Sequence, residues 1–94
     1  MPCKPGFVWR EAIPGDFHCV EPGQRDQARA DNSAAASRLD PQGVFGPQSC
    51  VSGFVWREAL PGDLVCVDPS IRSRVAEDNR LHHARIQGGP TIID

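Results

Sequence analysis

The chain has 94 residues, ten Lys and Arg against twelve Asp and Glu, and a formal charge of −2. That balance gives no basic surface of the kind duplex-binding domains carry, which argues against nucleic acid as a partner. No apolar run approaches the ~20 residues of a bilayer-crossing helix, so no membrane span is expected.

Residues 3–38 carry Cys-x3-Phe-Val-Trp-Arg-Glu-Ala-x-Pro-Gly-Asp-x-x-Cys-Val-x-Pro, followed by Arg25, Asp31-Asn32 and Arg38. The same pattern returns in register at an offset of 47, from Cys50 to Arg85. A period of this size marks one supersecondary unit per copy. Each copy falls below the ~40 residues at which a chain usually needs a staple or a partner to fold. Tyrosine is absent, and Phe7, Trp9, Phe17, Phe45, Phe54 and Trp56 are the only aromatic residues. The core is therefore thin, and the two copies are expected to pack on each other.

Each copy opens on a cysteine. Cys3, Cys19, Cys50 and Cys66 permit three pairings. Repeat logic favours Cys3–Cys19 with Cys50–Cys66, because each copy then closes on itself. Zinc is the rival reading, but structural zinc sites bring cysteines in close pairs such as C-x2-C, which are missing here. His18 is matched by Val65 in the second copy, and His82-His83 are adjacent rather than one helical turn apart. No metal ligand set and no cofactor are therefore expected. Reduced structural cysteines are the third reading. Disulfides imply an oxidising, extracellular compartment.

Phe7 to Ala12 is rich in strand formers. Pro14-Gly15-Asp16 is a turn signal, and Phe17 to Val20 resumes as a strand. The second copy repeats this with Phe54 to Ala59, Pro61-Gly62-Asp63 and Leu64 to Val67. Each stretch predicts a β-hairpin. A two-residue Pro-Gly turn twists poorly for a hairpin, so a three-residue loop is preferred, pairing Ile13 with Phe17 and Glu11 with Cys19. That register turns Phe7, Trp9, Ile13, Phe17 and Cys19 inward, and likewise Phe54, Trp56, Leu60, Leu64 and Cys66. Val8, Arg10, Ala12 and Val20 then form a mixed outer surface.

Pro22 and Pro69 suit the first turn of a helix. Alanine-rich residues 23–39 predict a helix. In the second copy Ile71, Val75, His82 and Ile86 make an apolar stripe, and Gly88-Gly89-Pro90 signals a stop. Leu39 to Ser49 reads as a linker in which Val44-Phe45 can dock on a core. Thr91-Ile92-Ile93 reads as either an edge strand or a frayed end. The plan is thus α+β: ββα repeat 1 over 1–38, linker 39–49, ββα repeat 2 over 50–87 and tail 88–94. The hairpins can either join as a four-stranded antiparallel sheet with both helices on one face or stand as separate beads.

The polar residues kept by the repeat have two readings. Asn32 and Asn79 lie at one border of the apolar helical stripe, with Arg25 and Arg72 two turns before them on the same face. Asp31 and Asp78 lie at its other edge. The six read as a structural hydrogen-bond network, since buried polar groups need partners. Trp9, Arg10 and Glu11, with Trp56, Arg57 and Glu58, are the candidate ligand-binding set: a flat indole wall with a charged rim. The opposing view is that a chain with two tryptophans uses both to fill its two cores. Catalysis has little support, because no nucleophile–base pair, phosphate loop or metal cluster repeats between the copies. No catalytic residues and no enzyme activity are expected.

The string Gly-Phe-Val-Trp-Arg-Glu-Ala-x-Pro-Gly-Asp, followed by Cys-Val-x-Pro-x-x-Arg and Asp-Asn, resembles a short cysteine-containing repeat of bacterial secreted and envelope-associated proteins. The resemblance covers both copies and implies secretion and an accessory role, with no catalytic residues to carry over. Together these features lead to the expectation of a secreted, non-enzymatic binding module. Its ligand would be a glycan or another cell-envelope component. The alternatives are a stabilising accessory domain on a protein partner and a small disulfide-rich protease inhibitor. Oligomeric state is not legible.

Overall fold

The computed structural model describes residues 2–89. The tail Thr91-Ile92-Ile93 lies outside the described residues. Two ββα units follow one another: β1 (Val8–Trp9), β2 (Cys19–Val20) and α1 (Pro22–Ala34), then β3 (Val55–Trp56), β4 (Cys66–Val67) and α2 (Pro69–Leu81). A 3-10 turn extends each helix, over Ala35–Arg38 and His82–Arg85. Proline opens both helices, as its fixed dihedral and missing N–H allow. Asp68 caps α2 by accepting the Ser70 amide at 2.9 Å, whereas Glu21 makes no side-chain cap for α1.

The hairpins stay apart as two two-stranded antiparallel sheets, so the four-stranded arrangement is not the one adopted. Each unit is closed by its own disulfide, Cys3–Cys19 and Cys50–Cys66, as repeat logic predicts.

The hairpin register differs from the expected one. Trp9 pairs with Cys19 and Val8 with Val20, and the second unit matches with Trp56–Cys66 and Val55–Val67. The Pro-Gly turn does form, with Asp16 N–H donating to the Ile13 carbonyl at 3.0 Å. Proline holds its second position and Gly15, at φ 90°, its third, where an L side chain would be strained. The poor twist of such a turn is absorbed upstream, because Glu11 and Glu58 adopt left-handed backbone, φ 54° and 56°. The strands therefore end at Trp9 and Cys19, and residues 10–18 form a wider loop.

The inward face also differs. Arg10, Ala12 and Val20 are buried, while Trp9 and Phe17 lie at the surface. The reason is the aspartate at the end of the loop. Asp16 accepts from Arg10 Nε at 2.7 Å, Arg10 Nη2 at 3.1 Å and the Ala12 amide at 3.0 Å. Asp63 repeats this with Arg57 Nε at 2.7 Å, Arg57 Nη2 at 3.1 Å and the Ala59 amide at 2.9 Å. A bidentate pair with its remaining lone pairs satisfied can be buried where a lone charge cannot. The apolar centre beside it is small: Ala12, Ala28, Ala59 and Val75, with Ile71 packed against them.

The units interlock reciprocally. Arg57 Nη2 donates to the Ala12 carbonyl at 3.3 Å, and Arg10 Nη2 to the Ala59 carbonyl at 3.2 Å. The residue after each 3-10 turn pairs with the first cysteine of the other unit, Leu39 with Cys50 and Ile86 with Cys3. Arg38 of the first unit donates to the Cys66 carbonyl at 3.0 Å and stacks over Phe54 at 4.8 Å. Arg85 of the second unit donates to the Cys19 carbonyl at 3.4 Å and stacks over Phe7 at 4.9 Å. The expected repeat–repeat packing is thus a closed exchange in which each unit's last turn finishes the other's hairpin.

Candidate functional site

The candidate site is built on the outer side of each hairpin. Strand alternation that puts Arg10 and Ala12 inside puts Trp9 and Glu11 outside. In the first unit Trp9 meets Phe17 edge to face, with ring centroids 4.8 Å apart. Phe17 is 54% exposed. Glu11 is exposed at the adjoining loop. The loop from Glu11 to Phe17 and the helix residue Asn32 line a shallow depression of about 400 Å³.

The second unit makes the equivalent depression, also about 400 Å³, from Trp56, Glu58 to Leu64 and Asn79. Here the aromatic neighbour comes from the segment between the units. Phe45 meets Trp56 at 5.6 Å, and Phe45 and Val44 stand 73% and 92% exposed. Trp56 Nε1 donates to the Gln48 carbonyl at 2.9 Å, and the Phe45 amide donates to Ser49 Oγ at 2.9 Å. Consecutive turns, Gly43 N–H to Asp40 O and Gly46 N–H to Gly43 O, hold the segment in shape. A second hollow of about 260 Å³ lies between Phe45, Phe54, Trp56 and Arg72.

The candidate ligand-binding residues thus separate into two groups. Trp9, Glu11, Trp56 and Glu58 share the outer side of the hairpins, although Trp56 is half-buried. Arg10 and Arg57 point the other way and are each 1% exposed. Their guanidinium groups face Asp16, Asp63 and the carbonyls of the opposite unit rather than solvent. The carboxylate of Asp16 is set by opposing effects. Burial raises its pKa, but hydrogen bonds from Arg10, the Ala12 amide and His18, with the Arg10 charge, hold it below its ordinary 3.8.

The helix residues read as a network divide the same way. Asn32 and Asn79 donate to the carbonyls of Ala12 and Ala59, at 2.8 and 3.1 Å, tying each helix to its own hairpin. Asp31 accepts from Arg38 at 2.9 Å and Asp78 from Arg85 at 2.9 Å, which aims each arginine at the opposite hairpin. Arg72 is exposed, and Arg25 keeps its Nε buried without a hydrogen-bond partner among the described residues.

Sequence reasoning missed three things. Asp16 and Asp63 were read only as part of the Pro-Gly-Asp turn signal, although their six-residue spacing from Arg10 and Arg57 recurs in both copies. Arg38 and Arg85 were noted as repeated but given no partner. His82 was read as a stripe residue, yet its Nδ1 accepts the Cys19 amide at 3.0 Å.

Among the described residues no group of histidine, cysteine and carboxylate side chains is arranged to hold a metal ion. Among them, too, no helix is long and apolar enough to cross a membrane. Comparison with protein-family models, curated proteins and solved structures finds no match.

Proposed function

We propose that this protein is a secreted, non-enzymatic binding module whose hairpin tips present aromatic surface to a glycan of the cell envelope. One observation carries the reading. Two tryptophans and four phenylalanines are the chain's whole aromatic stock, and none of the six is buried, whereas Arg10 and Arg57 are. A thin-cored protein that buries ion pairs and leaves Trp9, Phe17 and Phe45 exposed has put hydrophobic contact area where a ligand can reach it. Indole and phenyl faces stack on the C–H faces of sugar rings, and the exposed carboxylates of Glu11 and Glu58 can accept sugar hydroxyls at the rim. Two structural disulfides agree with an oxidising compartment, and the resemblance noted above points to the same address.

A protein partner is the second reading. It is favoured by Val44 and Phe45, an adjacent apolar pair on a turn-braced loop, which suits an apolar pocket better than a sugar. The test is a glycan array run with wild type, Phe17→Ala and Phe45→Ala, with circular dichroism as the folding control. Glycan binding weakened about tenfold or more, roughly 1.4 kcal/mol, in either folded variant supports the module. Binding confined to protein fractions of a culture supernatant, and lost in Phe45→Ala, supports the second reading. No binding of either class leaves the accessory domain as the better account.

A further inference from the structure

All three histidines of the chain meet at one seam between the units. The His18 and His82 rings lie 4.8 Å apart and the His82 and His83 rings 5.3 Å. His18 belongs to the first hairpin and His82-His83 to the 3-10 turn that closes on it. We propose that this trio is an acid-sensitive latch, which holds the seam of Cys3 with Ile86 closed near neutral pH and releases it on acidification.

The two seams are otherwise matched. At the histidine seam the Lys4 amide donates to the Arg85 carbonyl at 2.7 Å and the Gln87 amide to the Pro2 carbonyl at 3.0 Å. At the other seam the Val51 amide donates to the Arg38 carbonyl at 2.9 Å and the Asp40 amide to the Ser49 carbonyl at 2.7 Å. Both have the arginine that reaches the opposite strand and stacks on phenylalanine. The difference lies in the places of His18, His82 and His83, which the second seam fills with Val65, Ala35 and Ala36. The chain therefore contains its own control.

The chemistry of the latch is one proton. Nδ1 of His82 accepts the Cys19 amide, so the ring is neutral with its hydrogen on Nε2. A proton on Nδ1 turns the acceptor into a donor facing a donor and strands a buried amide. The surroundings also disfavour the cation. From the first hairpin His82 faces His18, Arg10 and Asp16, and from its own turn His83. Asp16 is the one group that would welcome the charge, and its oxygens are already occupied by Arg10, the Ala12 amide and His18. Arg85, held by Asp78, adds a further positive charge at the same strand. Burial first, then His18, His83 and Arg10, hold the His82 pKa below its ordinary 6.5.

The sign follows from linkage. The open seam binds the proton more readily than the closed one, so the contribution is fully present above the ordinary value of 6.5 and is lost as pH falls through the lower folded value. Asp16 is held below its ordinary 3.8, under both pH values compared below, so its titration does not enter the comparison.

The experiment is amide hydrogen exchange by NMR on the full chain at pH about 7.5 and about 5.0, either side of the ordinary histidine value and corrected for intrinsic rates. Protection at Lys4, Cys19 and Gln87 is expected to fall on acidification while Val51 and Asp40 keep theirs. His82→Gln, which offers a neutral acceptor at every pH, is expected to abolish that loss. Seams that respond alike, whether both lose or both keep protection, overturn the latch. So does a His82→Gln protein that retains the acid response. Should that variant fail to fold, the comparison of the two seams in the wild type decides alone.

Discussion

Reducing the two disulfides is expected to unfold the protein at room temperature. Each bond closes a loop with a sequence separation of 16, worth about 3 kcal/mol in the chain-entropy account. Losing both removes about 6 kcal/mol, which is comparable with the ~5–15 kcal/mol total of a typical domain. Little else can substitute, because the apolar centre is four small side chains, three of them alanine. Cys19 and Cys66 are also fully buried, each beside the valine that its strand contributes to the interior. Each disulfide ties that strand to the segment that the opposite unit's last turn pairs with, so its loss loosens the hairpin and the seam together. Far-UV circular dichroism with and without reductant is the check. Native signal and a cooperative melt in fully reduced protein would contradict it. Peptide mapping of the oxidised chain is expected to join Cys3 to Cys19 and Cys50 to Cys66.

Arg57→Met is expected to destabilise the protein by about 3–5 kcal/mol, because it leaves the Asp63 carboxylate buried without its cation. The arginine also bridges the units through the Ala12 and Ala28 carbonyls, so the damage reaches both copies. Adding Asp63→Asn to that variant should recover part of the loss. The amide oxygen still accepts the Ala59 N–H, while the stranded charge is gone. A double variant weaker than Arg57→Met, measured by denaturant unfolding, would mean that the ion pair is not what holds this loop.

Much of the fold was legible because the chain repeats itself. Two copies that keep Cys, Pro-Gly-Asp, Cys and Pro at the same places give the hairpins, the helix starts and the disulfide pairing together. The facing of the hairpins was not legible, for a specific reason. Phe-Val-Trp-Arg-Glu-Ala has apolar residues on both faces, and the heavier pair, Phe7 and Trp9, competes with Val8 and Ala12. Size alone favours the tryptophan face. The decision belongs to Asp16, six residues beyond Arg10, whose carboxylate makes it possible to bury the arginine. Local alternation does not register a partner across a loop.

The reciprocal seams were hidden for a related reason. Arg38 and Arg85 look alike in sequence, and each looks like a helix-end residue of its own copy. Their carbonyl and aromatic partners lie in the other unit, a fact of topology that a period cannot carry. The candidate site was half legible. Trp9, Glu11, Trp56 and Glu58 were picked out as candidate contact residues kept by the repeat, but the expected register turned Trp9, Trp56 and Phe17 inward, whereas Trp9 and Phe17 lie at the surface. Phe45 was recognised as a ring able to dock, but its pairing with Trp56 depends on turns within 40–49.

The central physical claim is that charge pairs hold the interior while the rings of Trp9, Phe17 and Phe45 stay outside it. Guanidinium unfolding of Arg57→Met beside Phe17→Ala and Phe45→Ala tests it most directly. Each phenylalanine variant should cost about 1 kcal/mol or less, as exposed side chains do, and Arg57→Met several times more. Phenylalanine variants that lose more stability than Arg57→Met would place the rings in the core and contradict the account.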